Sequence, residues 1–183
     1  QLRPGKPIDY LSMRLTLDEE GVLRVDNMNK INKFLEEEGM LDCKPKPVPA
    51  TMATLKTELR KDQELDAAGT RLQQKHNGRF NWLAATTHPT IATITSILSS
   101  YNAQATEGSL EACSRVYRWL QNAKYRCLVN DPKIDKAWKF YSDSDFAGMY
   151  GINGDTRSRT GSYIEVGGFA VAWRSRYQDL KAT

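Results

Sequence analysis

Lys139-Phe-Tyr-Ser-Asp-Ser-Asp-Phe-Ala-Gly148 and the later stretch Thr160-Gly-Ser-Tyr-Ile-Glu-Val-Gly-Gly-Phe-Ala-Val-Ala-Trp173 decide how this chain is read. The first reads as a strand whose alternating side chains put Asp143 and Asp145 on one face. The second is two apolar runs joined by Gly167-Gly168, a pair that accepts positive φ and closes a two-residue hairpin. An acidic strand beside such a hairpin points to carboxylates offered to a divalent metal from a small sheet. An EF-hand calcium loop is excluded, because its fifth and twelfth positions would be Ala147 and Gly154.

The 183 residues suffice for one domain or two small ones, and no apolar run approaches a membrane span. The net charge of +4 permits nucleic-acid binding without arguing for it. From Asp131 onward 8 Lys/Arg stand against 7 Asp/Glu, so the excess is not concentrated there. Cys43, Cys113 and Cys127 make an odd count without a Cys-x-x-Cys spacing, which favours an intracellular, reduced protein. His76 and His88 lie far from any cysteine pair, so a zinc site is not indicated. No Ser, Cys or Thr sits in a recognisable base-paired setting for nucleophilic catalysis. Gln1-Leu-Arg-Pro at one end and Leu180-Lys-Ala-Thr183 at the other are expected to be cut from something longer.

Along the chain, Ile8 to Leu17 alternates as a strand, Asp18-Glu-Glu-Gly21 turns, and Val22 to Val25 returns. Asp26 or Asn27 caps a helix through Glu38, with Ile31, Phe34 and Leu35 on one face and Gly39 as its stop. Cys43-Lys-Pro-Lys-Pro-Val-Pro49 forbids helix and predicts an extended strap. Thr51 to Gln74 is polar and is expected to be partly helical and loosely packed. Three apolar stripes follow: Phe80 to Ala84, ending near His88-Pro89; Ile91 to Tyr101; and Leu110 to Leu120, starting around Ser109. Arg115, Arg118, Lys124 and Arg126 form a basic face that is either solvated or backbone-binding. Asn130 to Lys136 is a boundary, after which the period becomes strand-like.

Several of these segments, in order, resemble the pol polyprotein of copia-type long-terminal-repeat retrotransposons. Ile8-Asp-Tyr-Leu-Ser-Met-Arg-Leu-Thr16 is similar to the family's "YLG" strand, and Glu38 through Pro49 to its "DCKPV.TP" linker. Gly78-Arg-Phe-Asn-Trp-Leu-Ala84 with Thr87-His-Pro-Thr-Ile-Ala92 resembles "G.L.YLA..TRPDIA", and Arg115-Val-Tyr-Arg-Trp-Leu120 resembles "RVLRYL". Tyr141 to Gly148 is similar to "YSDADWAG". Arg157 through Gln178 is similar to the run that ends in "GGGAVSWKSKKQ". The likeness spans most of the chain and is poorest from Thr51 to Lys75.

The resemblance implies an α+β or α/β chain. Residues 1–50 would be the hairpin, helix and strap of the reverse transcriptase tail, 51–130 a helical connection, and 137–183 the first three strands of an incomplete ribonuclease H-like domain. The parent would copy RNA into DNA and hydrolyse the RNA of RNA–DNA hybrid with Mg²⁺, or Mn²⁺ in its place. Asp143 matches the strand-one catalytic metal ligand; Asp145 is a second candidate ligand on the same face. Arg157 and Arg159, in the loop entering the second strand, are candidate phosphate contacts. Expected partners are hybrid, template-primer and the rest of the polyprotein, with no membrane; the expected location is a cytoplasmic virus-like particle or the nucleus. The family's Tyr-x-Asp-Asp motif and its later acidic ligands have no counterpart here, so the alternative is a non-catalytic, nucleic-acid-binding remnant. Thr-His-Pro-Thr-Ile for Thr-Arg-Pro-Asp-Ile removes a charge pair at a helix start and puts local packing there in question.

Overall fold

The computed structural model describes residues 2–59, 63–145, 148–149 and 156–181. It is an α+β protein with two antiparallel sheets on a helical body. The N-terminal sheet contains β1 (Ile8–Tyr10), β2 (Met13–Leu17), β3 (Leu23–Asp26) and β4 (Leu128–Asn130), in that order. Ile8 to Leu17 is therefore two strands and not one. Leu11 and Ser12 adopt φ of 49° and 63° and reverse the chain, so Tyr10 pairs with Met13. No glycine announces that turn, which is why alternation alone ran through it.

Helix α1 (Met28–Glu37) starts where Asp26 Oδ1 accepts the Met28 N–H at 3.0 Å. Asn27, at the cap position, instead donates across the fold to the hydroxyls of Thr86 and Thr87. Its end is a Schellman stop: Gly39 takes φ 65°, and the Met40 N–H reaches the Leu35 carbonyl at 2.7 Å. The strap then runs along helix α5 (Glu107–Ala123). Lys46 N–H donates to the Arg118 carbonyl, and Arg118 Nε donates back to the Lys44 carbonyl.

The described residues between Thr51 and Gln74 are more regular than their polarity suggests. Helix α2 (Met52–Glu58) carries a reciprocal Thr51/Thr54 capping box, and α3 (Ala67–Thr86) starts at Asp66, which accepts the Gly69 N–H. Leu55 and Leu59 are buried, so α2 is anchored and not loose. α4 (Ala92–Leu98) lies between two short 3-10 turns. α5 begins two residues before Ser109 because Thr106 and Ser109 cap each other.

All five helices contribute to one hydrophobic core around Phe80, Tyr117, Trp119 and Leu120. Residues on either side of the strap thus share a single interior, and β4 closes the N-terminal sheet against β3. The His88-Pro89 corner is tightly packed: His88 is 2% exposed, meets Trp119 edge-on, and precedes the fully buried Ile91.

The second sheet has the order β5 (Trp138–Ser144), β6 (Arg157–Val166), β7 (Phe169–Lys181). Gly167 and Gly168, with φ of 56° and 79°, make the tight turn between β6 and β7. Among the described residues, no helix is long and apolar enough to cross a membrane.

Candidate functional site

Strand register fixes the two faces of the second sheet. One face carries the row Tyr141, Tyr163, Trp173 and, beside it, the row Asp143, Gly161, Ser175. This face leans on the helices. The Trp173 indole N–H donates to the Ala84 carbonyl, Thr93 Oγ1 donates to Ser175 Oγ at 3.1 Å, and Arg159 Nη1 donates to Ser96 Oγ at 2.6 Å. Between sheet and α4 remains a hollow of about 430 Å³, walled by the three aromatic rings, Pro89 and Ala92, with Asp143 at its margin. Gly161 leaves the middle of the second row bare: a Cβ there would come no closer than 3.8 Å to another atom.

Asp143 lies opposite Gly161 and is exposed, and its carboxylate has no hydrogen-bonding partner among the described residues. Asp145 is differently placed. Its Oδ1 accepts the Arg159 N–H at 2.5 Å while its own N–H donates to the Arg159 carbonyl at 3.0 Å. Gly148 permits this arrangement, since a Cβ there would fall 2.3 Å from Asp145 Oδ2. The structure brings both aspartates to one small cavity of about 170 Å³ shared with Arg159, although Asp145 lies just past the end of β5. Only Asp143 is uncommitted within it.

Arg157 and Arg159 are not in a loop: both belong to β6, whose pairing with β7 extends to Arg157. Arg159 is 7% exposed, and its guanidinium lies 4.0 Å from the centre of the Tyr177 ring. Arg157 lies over the same ring at 4.6 Å. Cation–π stacking and the Ser96 bond turn Arg159 inward, away from any phosphate at the surface. The basic face of α5 is also occupied. Arg115 pairs with the buried Glu58, Arg118 holds the strap, and Arg126 lies 5.7 Å from the Trp119 ring.

The described residues do not by themselves make a divalent-metal site. No group of three or more His, Cys, Asp or Glu side chains converges among them, and Asp145 is already satisfied by a backbone N–H. The remaining titratable clusters are structural. Burial pushes His76 and His88 down to about 4, and Cys113 up to about 12. Burial works to raise Glu38, but Lys75, His76 and Arg79 outweigh it and hold the carboxyl low. The three cysteines are free thiols. The row Tyr141, Tyr163, Trp173 escaped sequence reasoning, because it exists only once three strands are placed in register. Comparison with protein-family models, curated proteins and solved structures gives no match.

Proposed function

We propose that this chain is part of a copia-type reverse transcriptase–ribonuclease H polyprotein, in which residues 137–183 are the opening three strands of a ribonuclease H-like sheet. The observation that supports this most is the placing of Asp143. It stands in the first strand of an antiparallel three-strand meander, uncommitted among the described residues and at the edge of an open hollow. The parent activity is then RNA-templated DNA synthesis with hydrolysis of the RNA of a hybrid, dependent on Mg²⁺ or Mn²⁺. Template-primer, hybrid and the remainder of the polyprotein are its partners, in a virus-like particle or the nucleus.

Within this chain Asp143 would be one carboxylate of a site completed elsewhere. The commitment of Asp145 to Arg159 favours the non-catalytic form of the reading for the chain alone. The test is to incubate the chain with labelled RNA–DNA hybrid and Mn²⁺, following retention and cleavage together. Salt-dependent retention without cleavage, not weakened by Asp143→Asn, is the expected outcome. Cleavage abolished by Asp143→Asn would assign a working hydrolase to the chain itself. Absence of retention even at low salt would overturn the nucleic-acid reading.

A further inference from the structure

The other face of the second sheet makes none of the hydrogen bonds to the helices described above, although one of its rows, Ser142, Ser162 and Arg174, also borders the hollow. Its register rows are Trp138, Val166, Phe169; Phe140, Ile164, Ala172; Ser142, Ser162, Arg174; and Ser144, Thr160, Arg176. Trp138 and Phe140 are 62% and 69% exposed, with ring centres 6.0 Å apart and planes within 12°. Large apolar rings held parallel in water are costly to leave uncovered and suited to stacking. Below them a strip of hydroxyls crosses the sheet and leads to Arg174 and Arg176, both exposed. Neither arginine is paired with a carboxylate among the described residues, and none of the described residues in these rows is acidic. Of the acidic side chains of these strands, Asp143 and Glu165 fall on the opposite face, where Glu165 pairs with Lys139, and Asp179 lies beyond these rows towards the end of β7.

We infer that this outer face is a platform for unpaired nucleic acid, RNA or DNA. Bases stack on Trp138 and Phe140, hydroxyls meet sugar and phosphate, and Arg174 and Arg176 hold the backbone. Flat rings beside cations, in rows that carry no carboxylate, match single strands, whose bases expose their faces, better than duplexes, whose bases do not. The ring separation of 6.0 Å is less than two stacking spacings of about 3.4 Å, so bases stack on the outer sides of the pair and do not enter between. This goes beyond the family reading and does not depend on Asp143.

The experiment is fluorescence anisotropy of short labelled oligo-dT and oligo-U with the whole chain, alongside hybrid retention on the same samples. Trp138→Ala with Phe140→Ala should weaken single-strand binding about tenfold or more. Trp138→Tyr with Phe140→Tyr, which keeps both rings, should retain it. Arg174→Gln with Arg176→Gln should lower the salt slope by about 1.4, at about 0.7 per phosphate contact. Failure to bind either oligomer, or binding indifferent to loss of the rings, overturns the platform while leaving hybrid retention to judge the family reading separately. A dimer in light scattering that dissolves when the rings are removed would overturn it too, by showing a second copy as the occupant.

Discussion

The helical body and the second sheet treat their large side chains in opposite ways. In the body Phe80, Leu83, Ile91, Leu98 and Leu120 have no exposed surface, and the least exposed charged groups, Glu38 with Arg79 and Glu58 with Arg115, are paired. In the sheet Trp138 and Phe140 lie mostly in water, and only one face is packed. A closed core accounts for its own residues by burial, whereas residues that gain nothing from burial need another reason to be where they are. The contrast places burial-driven stability in the body and leaves the uncovered rings on the sheet.

The contrast is broken most directly by truncation in the body. Phe80→Ala should cost about 3–5 kcal/mol in denaturant unfolding, since Tyr117 and the neighbouring helices cannot close the void. Acid should act next. His76 and His88 are held neutral by burial, with folded pKa values about 4 against about 6.5 when unfolded. The unfolded chain therefore takes up protons first, and stability falls as pH drops from about 6.5 towards 4, by up to ~1.4 kcal/mol per pH unit for each histidine. Around His76 the facing groups are Glu38, Lys75, Arg79 and Tyr117; the low pKa of Glu38 adds loss of the same sign at lower pH. A melting temperature flat across that window would contradict the burial of both rings.

Arg115→Met leaves Glu58, 4% exposed, without its partner and should cost about 2–3 kcal/mol by the same unfolding measurement. The two aspartates of the site should separate cleanly. Asp145→Ala loses the bond from the Arg159 N–H and should cost about 1–2 kcal/mol, whereas Asp143→Asn should leave stability unchanged. Smallest of all, Trp138→Ala should change stability by no more than about 0.5 kcal/mol, because little of the ring is buried. Destabilisation by several kcal/mol there would erase the distinction between the two regions.

Much of the architecture was legible in the sequence because it rests on local rules. The apolar stripes of α1, α4 and α5, the Gly39 stop, the proline strap and the Gly167-Gly168 turn follow from periodicity and backbone preference alone. The reversal at Leu11-Ser12 was not legible, since neither residue favours positive φ. Nor was β4, whose three residues become a strand only by pairing with β3. For the candidate site, alternation gave the face of Asp143, while Asp145 lies past the end of β5. It said nothing of the bond that Asp145 accepts from the Arg159 backbone.

The sequence by itself determined most of the helices and the turn between the last two strands, because period and turn chemistry act over a few residues. Only the tertiary structure decided that Asp145 is spent on the Arg159 backbone and that Arg159 turns inward to Tyr177 and Ser96. It alone left Trp138 and Phe140 uncovered beside Arg174 and Arg176. Those outcomes depend on strand register and on which face meets the helices, contacts between residues distant in the chain that no local rule contains.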